Sequence, residues 1–290
     1  MKPPPFAYAR AESREEALAF LAEWGDEASV LAGGQSLMPL MNFRLARPAY
    51  LVDINDLTDL ASFAAGNGGG LSIGALCRQA FLEGRDELRG PWNALGEAIP
   101  LIGHYPIRMR GTVGGSLAHA DPAAELPVVC VTLDAELVAS STAGLRAIPA
   151  SEFFSGPFST SLRADELLVE TRLAPLPQGA VTAFAEFSER AGDFALASVC
   201  VGAAFWDGRC SWARVGLGGV GPTPVRVPEA EQILLGGDLG EEPVGEAARV
   251  AAAACDPAGD FHASATFRKE LVATLARNAL SRLGNVLRTP

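Results

Sequence analysis

The stretch LAGGQSLMPLMNFRLARPAYLVDIN (residues 31–55) decides the first part of the fold. The apolar runs at residues 28–31 and 50–54 are typical of short buried strands. Between them, apolar residues recur at helical spacing over residues 37–45, directly after a glycine pair that permits a tight turn. The stretch therefore predicts a strand, a glycine turn, a short helix and a strand. Its loop can bring the backbone close to a ligand.

A second glycine loop, GTVGGSLAHADPAAELPVV (residues 111–129), has the same layout as the first. In each loop a glycine pair is followed by hydrogen-bonding residues, Gln35 and Ser36 in one and Ser116 in the other. Consecutive backbone N–H groups in such turns form an anion-binding concavity. The two loops together predict a clamp on both sides of a pyrophosphate. The sequence has neither a P-loop nor a Rossmann glycine motif, which disfavours both of those nucleotide-binding folds.

Composition excludes several classes of protein. The chain has 290 residues and a net charge of −11 without a basic cluster, so it lacks the footprint of a nucleic-acid-binding protein. It has no apolar run of about 18 residues, which argues against a transmembrane segment, and no signal-peptide pattern, so we expect a cytoplasmic protein. Because its five cysteines and three histidines are scattered, we expect no metal or iron–sulfur site in this chain.

Pro175 and Pro177 mark the predicted boundary between two domains. The predicted domains are residues 1–176, with lobes at about 1–57 and 58–176, and residues 177–290. The strands predicted beyond the boundary are residues 181–190, 194–206 and 209–218. The last two are joined by a hairpin turn at Asp207-Gly208. Helical patterns after residue 228 predict helices packed on this three-stranded antiparallel sheet, so the fold class is α+β.

Three segments resemble the FAD-binding medium subunit of the molybdenum hydroxylases, the carbon monoxide dehydrogenase and xanthine dehydrogenase family. They are AGGQSLMPLMNFRLARPAYLVDIN (residues 32–55), RGTVGGSLAHADPAAELP (residues 110–127) and ERAGDFALA (residues 189–197). They occur in the family's order and spacing, and the likeness covers nearly the whole chain. The resemblance implies a vanillyl-alcohol-oxidase (PCMH)-type FAD-binding domain with two lobes, followed by a small C-terminal domain.

The resemblance also implies a function. The chain would bind FAD non-covalently and pass electrons from the 2Fe-2S clusters of a small subunit to an external acceptor, such as a quinone or NAD. Mo-molybdopterin would lie on a large subunit, so this chain alone would not act on the organic substrate, and the complex would be a dimer of heterotrimers. Two alternatives remain open at this point. One is a self-contained FAD-dependent oxidase on the same fold, and the other is a flavin-free scaffold subunit.

Carried over position by position, the resemblance places the FAD site on both glycine loops and on several later residues. The first loop would line the pyrophosphate from one side, and the second would line it from the other through backbone N–H groups and hydroxyls. The implied cofactor-binding residues are Ala32, Gly33, Gly34, Gln35, Ser36, Leu37, Met38, Ile102, Thr112, Gly114, Gly115, Ser116, Glu125, Leu168, Asp193 and Phe194. No catalytic and no metal-binding residue is implied. We expect Gly34→Val or Gly114→Val to empty the FAD site of a chain that still folds.

Three residues depart from the family's usual pattern. Phe194, which the resemblance places beside the isoalloxazine, lacks the hydroxyl of the more common tyrosine. Glu186 stands near a position where many relatives have lysine, and Gln35 replaces a frequent histidine and cannot titrate. The flavin environment of this chain is therefore expected to differ from that of its relatives at these three positions.

Overall fold

The structure is a computed structural model that describes residues 2–66 and 68–288. The elements of the first lobe are β1 (Ala7–Arg10), α1 (Arg14–Trp24), β2 (Ala28–Leu31), α2 (Leu37–Asn42) and β3 (Tyr50–Asp53). The strands form a parallel sheet in the order β1-β3-β2. The predicted order of strand, glycine turn, helix and strand is confirmed. Because β2 and β3 run in the same direction, the glycine turn after β2 and Asn55 after β3 lie at the same edge of the sheet.

The second lobe is built on an antiparallel sheet. Its strands are β4 (Phe63–Ala65), β5 (Leu71–Gly74), β6 (Glu136–Ser141), β7 (Gly144–Pro149), β8 (Phe154–Gly156), β9 (Ser159–Thr160) and β10 (Leu167–Leu173). The sheet order is β4-β5-β10-β6-β7, and β8 pairs with β9 separately. The helices are α3 (Gln79–Leu82), α4 (Asn93–Ala98), α5 (Tyr105–Arg108), α6 (Val113–His119), α7 (Glu125–Thr132) and α8 (Ala150–Phe153). Every residue of α7 is buried, so this helix lies inside the packed core.

The C-terminal domain has an antiparallel sheet backed by helices, as predicted. Its elements are β11 (Val181–Phe187), β12 (Ala197–Trp206), β13 (Arg209–Gly218), β14 (Val225–Arg226), α9 (Pro228–Leu234), α10 (Glu241–Ala253) and α11 (Ala265–Arg288). The sheet has four strands rather than the predicted three, because the two-residue β14, too short to show an alternating pattern, pairs with β13. Asp207 and Gly208 have φ values of 51° and 72°, which confirms the predicted hairpin turn. Over the described ranges, no helix combines the length and apolar character needed to cross a membrane.

The C-terminal sheet packs directly on the second lobe. Phe184 and Cys200 of this sheet belong to the same buried apolar cluster as the core of the second lobe. The Thr182 hydroxyl donates to the carbonyl of Pro91 and accepts from the N–H of Ala94, both at 2.9 Å. These contacts hold the sheet against α4 and thereby fix the loop between β11 and β12 relative to the glycine loops.

The carboxylate of Glu97 stabilises the interface between the C-terminal sheet and the second lobe. Its Oε2 accepts from the N–H of Phe184 at 2.8 Å and from Arg282 of α11 at 2.7 Å. We expect Glu97→Ala to lower the free energy of unfolding by about 2 kcal/mol, because a partly buried N–H loses its acceptor. Denaturant unfolding followed by circular dichroism measures the change. Glu152→Ala, which removes an exposed carboxylate from α8, should change stability by less than about 0.5 kcal/mol; equal effects of the two substitutions would contradict the role of Glu97.

Candidate functional site

A cavity of about 490 Å³ lies where the two glycine loops meet. Gly33 packs on the backbone of the second loop: a Cβ there would overlap the carbonyl oxygen of Arg110 and lie 2.9 Å from the Cα of Gly111. Both lobes contribute to the cavity wall, and residues 192–194 of the C-terminal domain complete it. The volume lies within the range of roughly 300–1,000 Å³ that small-molecule and cofactor sites occupy.

The structure brings together on this wall nearly all of the residues predicted to bind FAD. Those that line the cavity are Ala32, Gly33, Gly34, Gln35, Ser36, Leu37, Ile102, Thr112, Gly114, Gly115, Ser116, Glu125, Leu168, Asp193 and Phe194. Met38 is the exception. Successive helical residues are rotated by about 100°, so Met38 turns away from the side on which Leu37 faces the cavity. It packs behind the turn instead, where its Cγ would lie 3.3 Å from a Cβ on Gly34.

The first glycine loop offers unpaired backbone donors. The carbonyl of Gly34 accepts from the N–H of Met38 at 3.2 Å, and the carbonyl of Ser36 accepts from Leu40 at 3.1 Å, so the turn leads straight into α2. In the described parts of the chain, the N–H groups of residues 33–36 donate to no protein atom. Gly34 has a φ of 71°, a value that glycine adopts without steric cost. These donors are therefore free for an anionic group, and their binding of a diphosphate stays a prediction.

The second glycine loop is built differently. Its glycine pair lies inside the first turn of α6, and the N–H groups there are already used. That of Gly114 donates to the Ala75 carbonyl at 2.9 Å, that of Gly115 to the Thr112 hydroxyl at 3.0 Å, and that of Ser116 to the Thr112 carbonyl at 3.1 Å. These three N–H groups already have acceptors within the protein, so ligand binding by the backbone N–H groups of this loop stays a prediction. These residues contribute the Ser116 hydroxyl and the backbone of two glycines, which have no side chain, to the cavity wall.

Gly114 lines the cavity and also packs against the interior of the second lobe. A Cβ on this residue would lie 2.5 Å from the Cβ of Ala75 and 2.8 Å from its Cα and carbonyl oxygen. Those are backbone and first side-chain atoms at the end of β5, which cannot rotate away. This geometry argues against the expectation that Gly114→Val leaves a folded chain, whereas at Gly34 the nearest atoms belong to side chains of Leu31 and Met38.

Asn55 and Arg78 connect the two glycine loops, and neither residue was predicted from the sequence. Arg78 donates from Nη2 to the Asn55 side-chain oxygen at 2.6 Å and from Nη1 to the carbonyl of Arg110. Asn55 in turn donates to the carbonyl of Ala32 at 2.9 Å. The position of Asn55 held a usable signal, since polar residues at the carboxyl ends of parallel strands commonly serve binding sites. Arg78 follows an antiparallel strand and carries no comparable signal.

This connection leads to a prediction for ligand affinity. We expect Arg78→Ala to weaken FAD binding about tenfold, because a forked donor between two loops is lost and the loops are free to separate. Arg78→Lys should recover little of the loss, since an ammonium group cannot bridge both acceptors in the same plane. Fluorescence titration of the FAD-free chain measures both. Arg89→Ala removes a solvent-exposed arginine and is the matched control; unchanged affinity in Arg78→Ala would contradict the bridging role.

The acidic and basic groups of the cavity differ in protonation. Glu166 is buried, and its carboxylate accepts from Arg146 at 2.6 and 2.7 Å, which lowers its pKa. Burial, followed by the negative charge of Glu186, raises the pKa of Glu125 to about 8. Burial also lowers the pKa of His119, so its imidazole is neutral at pH 7. At neutral pH the cavity wall therefore includes the ionised carboxylate of Glu166, the neutral carboxyl group of Glu125 and the neutral imidazole of His119.

The loop between β11 and β12 closes one end of the cavity. Phe194, predicted to begin a strand, lies in this loop and is 70% exposed at the rim. Gly192 has a φ of 88°, which interrupts the extended conformation, and a Cβ on it would overlap the ring of His104. The loop therefore rests on His104 and presents Asp193 and Phe194 to the cavity.

Comparison with known protein families identifies this architecture. Residues 4–176 match the family described as the FAD binding domain in molybdopterin dehydrogenase. Residues 182–283 match the CO dehydrogenase flavoprotein C-terminal domain. The chain belongs to this family. It is an FAD-binding medium-type subunit of the molybdenum hydroxylases, so the resemblance read from the glycine loops, the fold it implied and its cofactor FAD are confirmed.

Individual relatives cover nearly the whole chain. The 6-hydroxypseudooxynicotine dehydrogenase complex subunit alpha of Paenarthrobacter nicotinovorans is 43% identical, over 97% of this chain and 95% of the relative. Caffeine dehydrogenase subunit beta of Pseudomonas sp. (strain CBB1) is 38% identical, over 97% and 96% of the two chains. The reconstituted CO dehydrogenase from Oligotropha carboxidovorans contains a chain that superposes with a TM-score of 0.94 at 33% identity, over 98% and 99% of the two chains. The chain is therefore a subunit of an oxidoreductase of this family.

Proposed function

We propose that this chain is the electron-transfer subunit of a molybdenum-containing dehydrogenase or hydroxylase. It binds FAD non-covalently and passes electrons from the 2Fe-2S clusters of a small subunit to an external acceptor, such as a quinone or NAD. One observation supports the proposal most strongly: in the described chain the N–H groups of residues 33–36 are unpaired, and these residues line a cavity walled by both lobes. A flavin-free scaffold has no use for such a row of donors.

The residues present fit FAD. The N–H groups of residues 33–36 and the Ser116 hydroxyl are donors suited to a diphosphate. Ile102 and Leu168 add apolar surface, and Glu125 adds a carboxyl group. When bound, FAD supplies the redox chemistry, which includes both one-electron and two-electron steps. The chain's own part is to bind and orient the cofactor and to exclude water from it. Phe194 lines the cavity and is itself exposed at the rim.

We propose that the remaining cofactors lie on partner subunits. The relatives are named as subunits or medium chains of dehydrogenases, which supports assembly with a large Mo-molybdopterin subunit and a small 2Fe-2S subunit, as a dimer of heterotrimers. In such a complex the large subunit selects the organic substrate. We also propose a cytoplasmic location and a division into domains 1–176 and 177–290. The matched ranges of the two domain families support this division.

Purification of the chain from its native cells tests the proposal. We expect it to be recovered with a molybdenum protein and an iron–sulfur protein, with a flavin absorption band at about 450 nm that is lost to the supernatant on acid precipitation. A chain that never acquires this band would support the scaffold alternative. An isolated chain that oxidises an organic substrate by itself would support the oxidase alternative. Flavin that stays with the precipitate would contradict non-covalent binding.

A further inference from the structure

Glu186 of β11 faces the helix that carries Glu125. Glu186 is paired with Ser198 across β11 and β12, so both side chains lie on one face of the C-terminal sheet. On that face, a Cβ on Gly218 would lie 2.6 Å from the Ser198 hydroxyl and would overlap the side chain of Val128 in α7. Glu125 precedes Val128 by three residues, and residues with that spacing lie on the same side of a helix. The two carboxyl groups therefore converge between α7 and the sheet.

The described chain provides neither carboxyl group with a cation. Glu125 is 6% exposed, lines the cavity and takes part in none of the ion pairs formed by the described residues. The Oε2 atom of Glu186 and the hydroxyl of Ser198 are both buried and have no hydrogen-bond partner among the described residues. Two ionised carboxylates in such surroundings repel each other and have lost their hydration. One of them is therefore expected to hold a proton at neutral pH.

The surrounding charges leave this repulsion in place. Glu125 faces Asp121, whose charge raises its pKa, and Arg108, whose charge lowers it, but Arg108 is already paired with Glu83 at 3.0 Å. Burial raises the pKa of Glu186 to about 7. Several other charged groups near α7 and β11 are in pairs of their own: Glu97 with Arg282, Asp134 with Arg214 and Arg226, and Glu231 with Arg226. The elements packed against α7 and β11 also carry charged residues that take part in none of the ion pairs formed by the described residues: Glu152 of α8, Arg209 of β13, and Lys269, Glu270 and Arg277 of α11.

We propose that Glu125 and Glu186 form an acid pair that holds one proton at the wall of the FAD cavity, so that FAD binding is coupled to proton uptake. FAD brings a negatively charged diphosphate into the cavity and displaces water, and both changes favour the neutral form of Glu125. A neutral carboxyl group can also donate a hydrogen bond to an oxygen of the ligand, which a carboxylate cannot do. The inference rests on the proposed binding of FAD at this cavity.

The test is FAD binding by the full chain, freed of flavin, between about pH 6 and pH 9. We expect the affinity of the unmodified chain to fall about fivefold to tenfold over the upper two pH units, because one coupled proton changes affinity by at most tenfold per unit. Glu125→Gln should bind FAD with nearly constant affinity over the whole range, since an amide stays neutral. Glu186→Gln should begin to lose affinity at a lower pH, because the charge that raises the pKa of Glu125 is gone. Calorimetry at about pH 8 in two buffers of different ionisation enthalpy counts the protons taken up.

Glu152→Gln, which changes an exposed acid of α8, is the matched control and should follow the unmodified chain. The acid pair is refuted if Glu125→Gln keeps the pH dependence of the unmodified chain, or if calorimetry detects no proton uptake. If Glu125→Gln binds no FAD at all, the number of protons that the unmodified chain takes up on binding FAD decides whether the acid pair exists. Failure of the unmodified chain to bind FAD at every pH would contradict the proposed function instead.

Discussion

Gly33→Ala is expected to yield a folded chain that is purified without FAD. Gly33 is buried where the two glycine loops touch, and a Cβ there would overlap the carbonyl oxygen of Arg110 and press on Gly111. Neither obstacle is a flexible side chain, so the loops must separate. The N–H groups of residues 33–36 would then move away from the wall formed by the second loop. We expect the Kd for FAD to rise about 100-fold, which corresponds to an overpacking cost on the order of 3 kcal/mol.

The flavin absorbance of the purified protein, relative to its absorbance at 280 nm, measures this loss, and fluorescence titration gives the Kd. Gly156→Ala is the matched control, because it lies in the same domain and a Cβ there would have no neighbour within 4 Å. Circular dichroism should show the same secondary structure for both variants, since the core of each lobe lies away from the contact. A normal flavin content in Gly33→Ala would mean that close contact between the loops is not needed for FAD binding.

The part of the site that could be predicted from the sequence is the part that local geometry determines. In the first loop, a glycine pair between a strand and a helix leaves consecutive N–H groups without partners, and the structure has this arrangement at residues 33–36. The second loop has a similar sequence, but its N–H groups are already paired within the protein. The N–H of Gly114 donates to Ala75, a residue distant in sequence, and no local pattern reveals that partner. Tertiary contacts therefore determine whether the N–H groups of a glycine loop are free to bind a ligand or are already paired within the protein.

The dependence on contacts distant in sequence also explains the other differences between the predicted and the observed structure. The connection between Asn55 and Arg78 joins residues from the two lobes and is invisible in either segment alone. The short β14 has too few residues for periodicity and forms only because β13 offers it an edge. In contrast, the Asp207-Gly208 hairpin depends on two residues that tolerate positive φ, so the sequence alone was sufficient to predict it.

Gly114→Val and Gly34→Val should separate folding from cofactor binding, although the sequence suggests the same outcome for both. At Gly114 the added carbon meets the Cα, Cβ and carbonyl oxygen of Ala75, and the hydrogen bond from the Gly114 N–H to that carbonyl fixes the distance. A valine cannot be accommodated without displacing the end of β5 from α6. We expect the free energy of unfolding to fall by more than about 4 kcal/mol, with most of the chain insoluble.

At Gly34 the substitution has a smaller cost. The nearest atoms are side-chain carbons of Leu31 and Met38 at 3.2 and 3.3 Å, which can shift, and the positive φ adds strain of about 1–2 kcal/mol. Gly34→Val should therefore fold but lose FAD, because the turn that aligns the N–H donors is distorted. Soluble yield and denaturant unfolding of the two FAD-free variants, measured side by side, test the distinction. A soluble Gly114→Val chain with the stability of Gly34→Val would mean that Gly114 is required at the ligand surface rather than against Ala75.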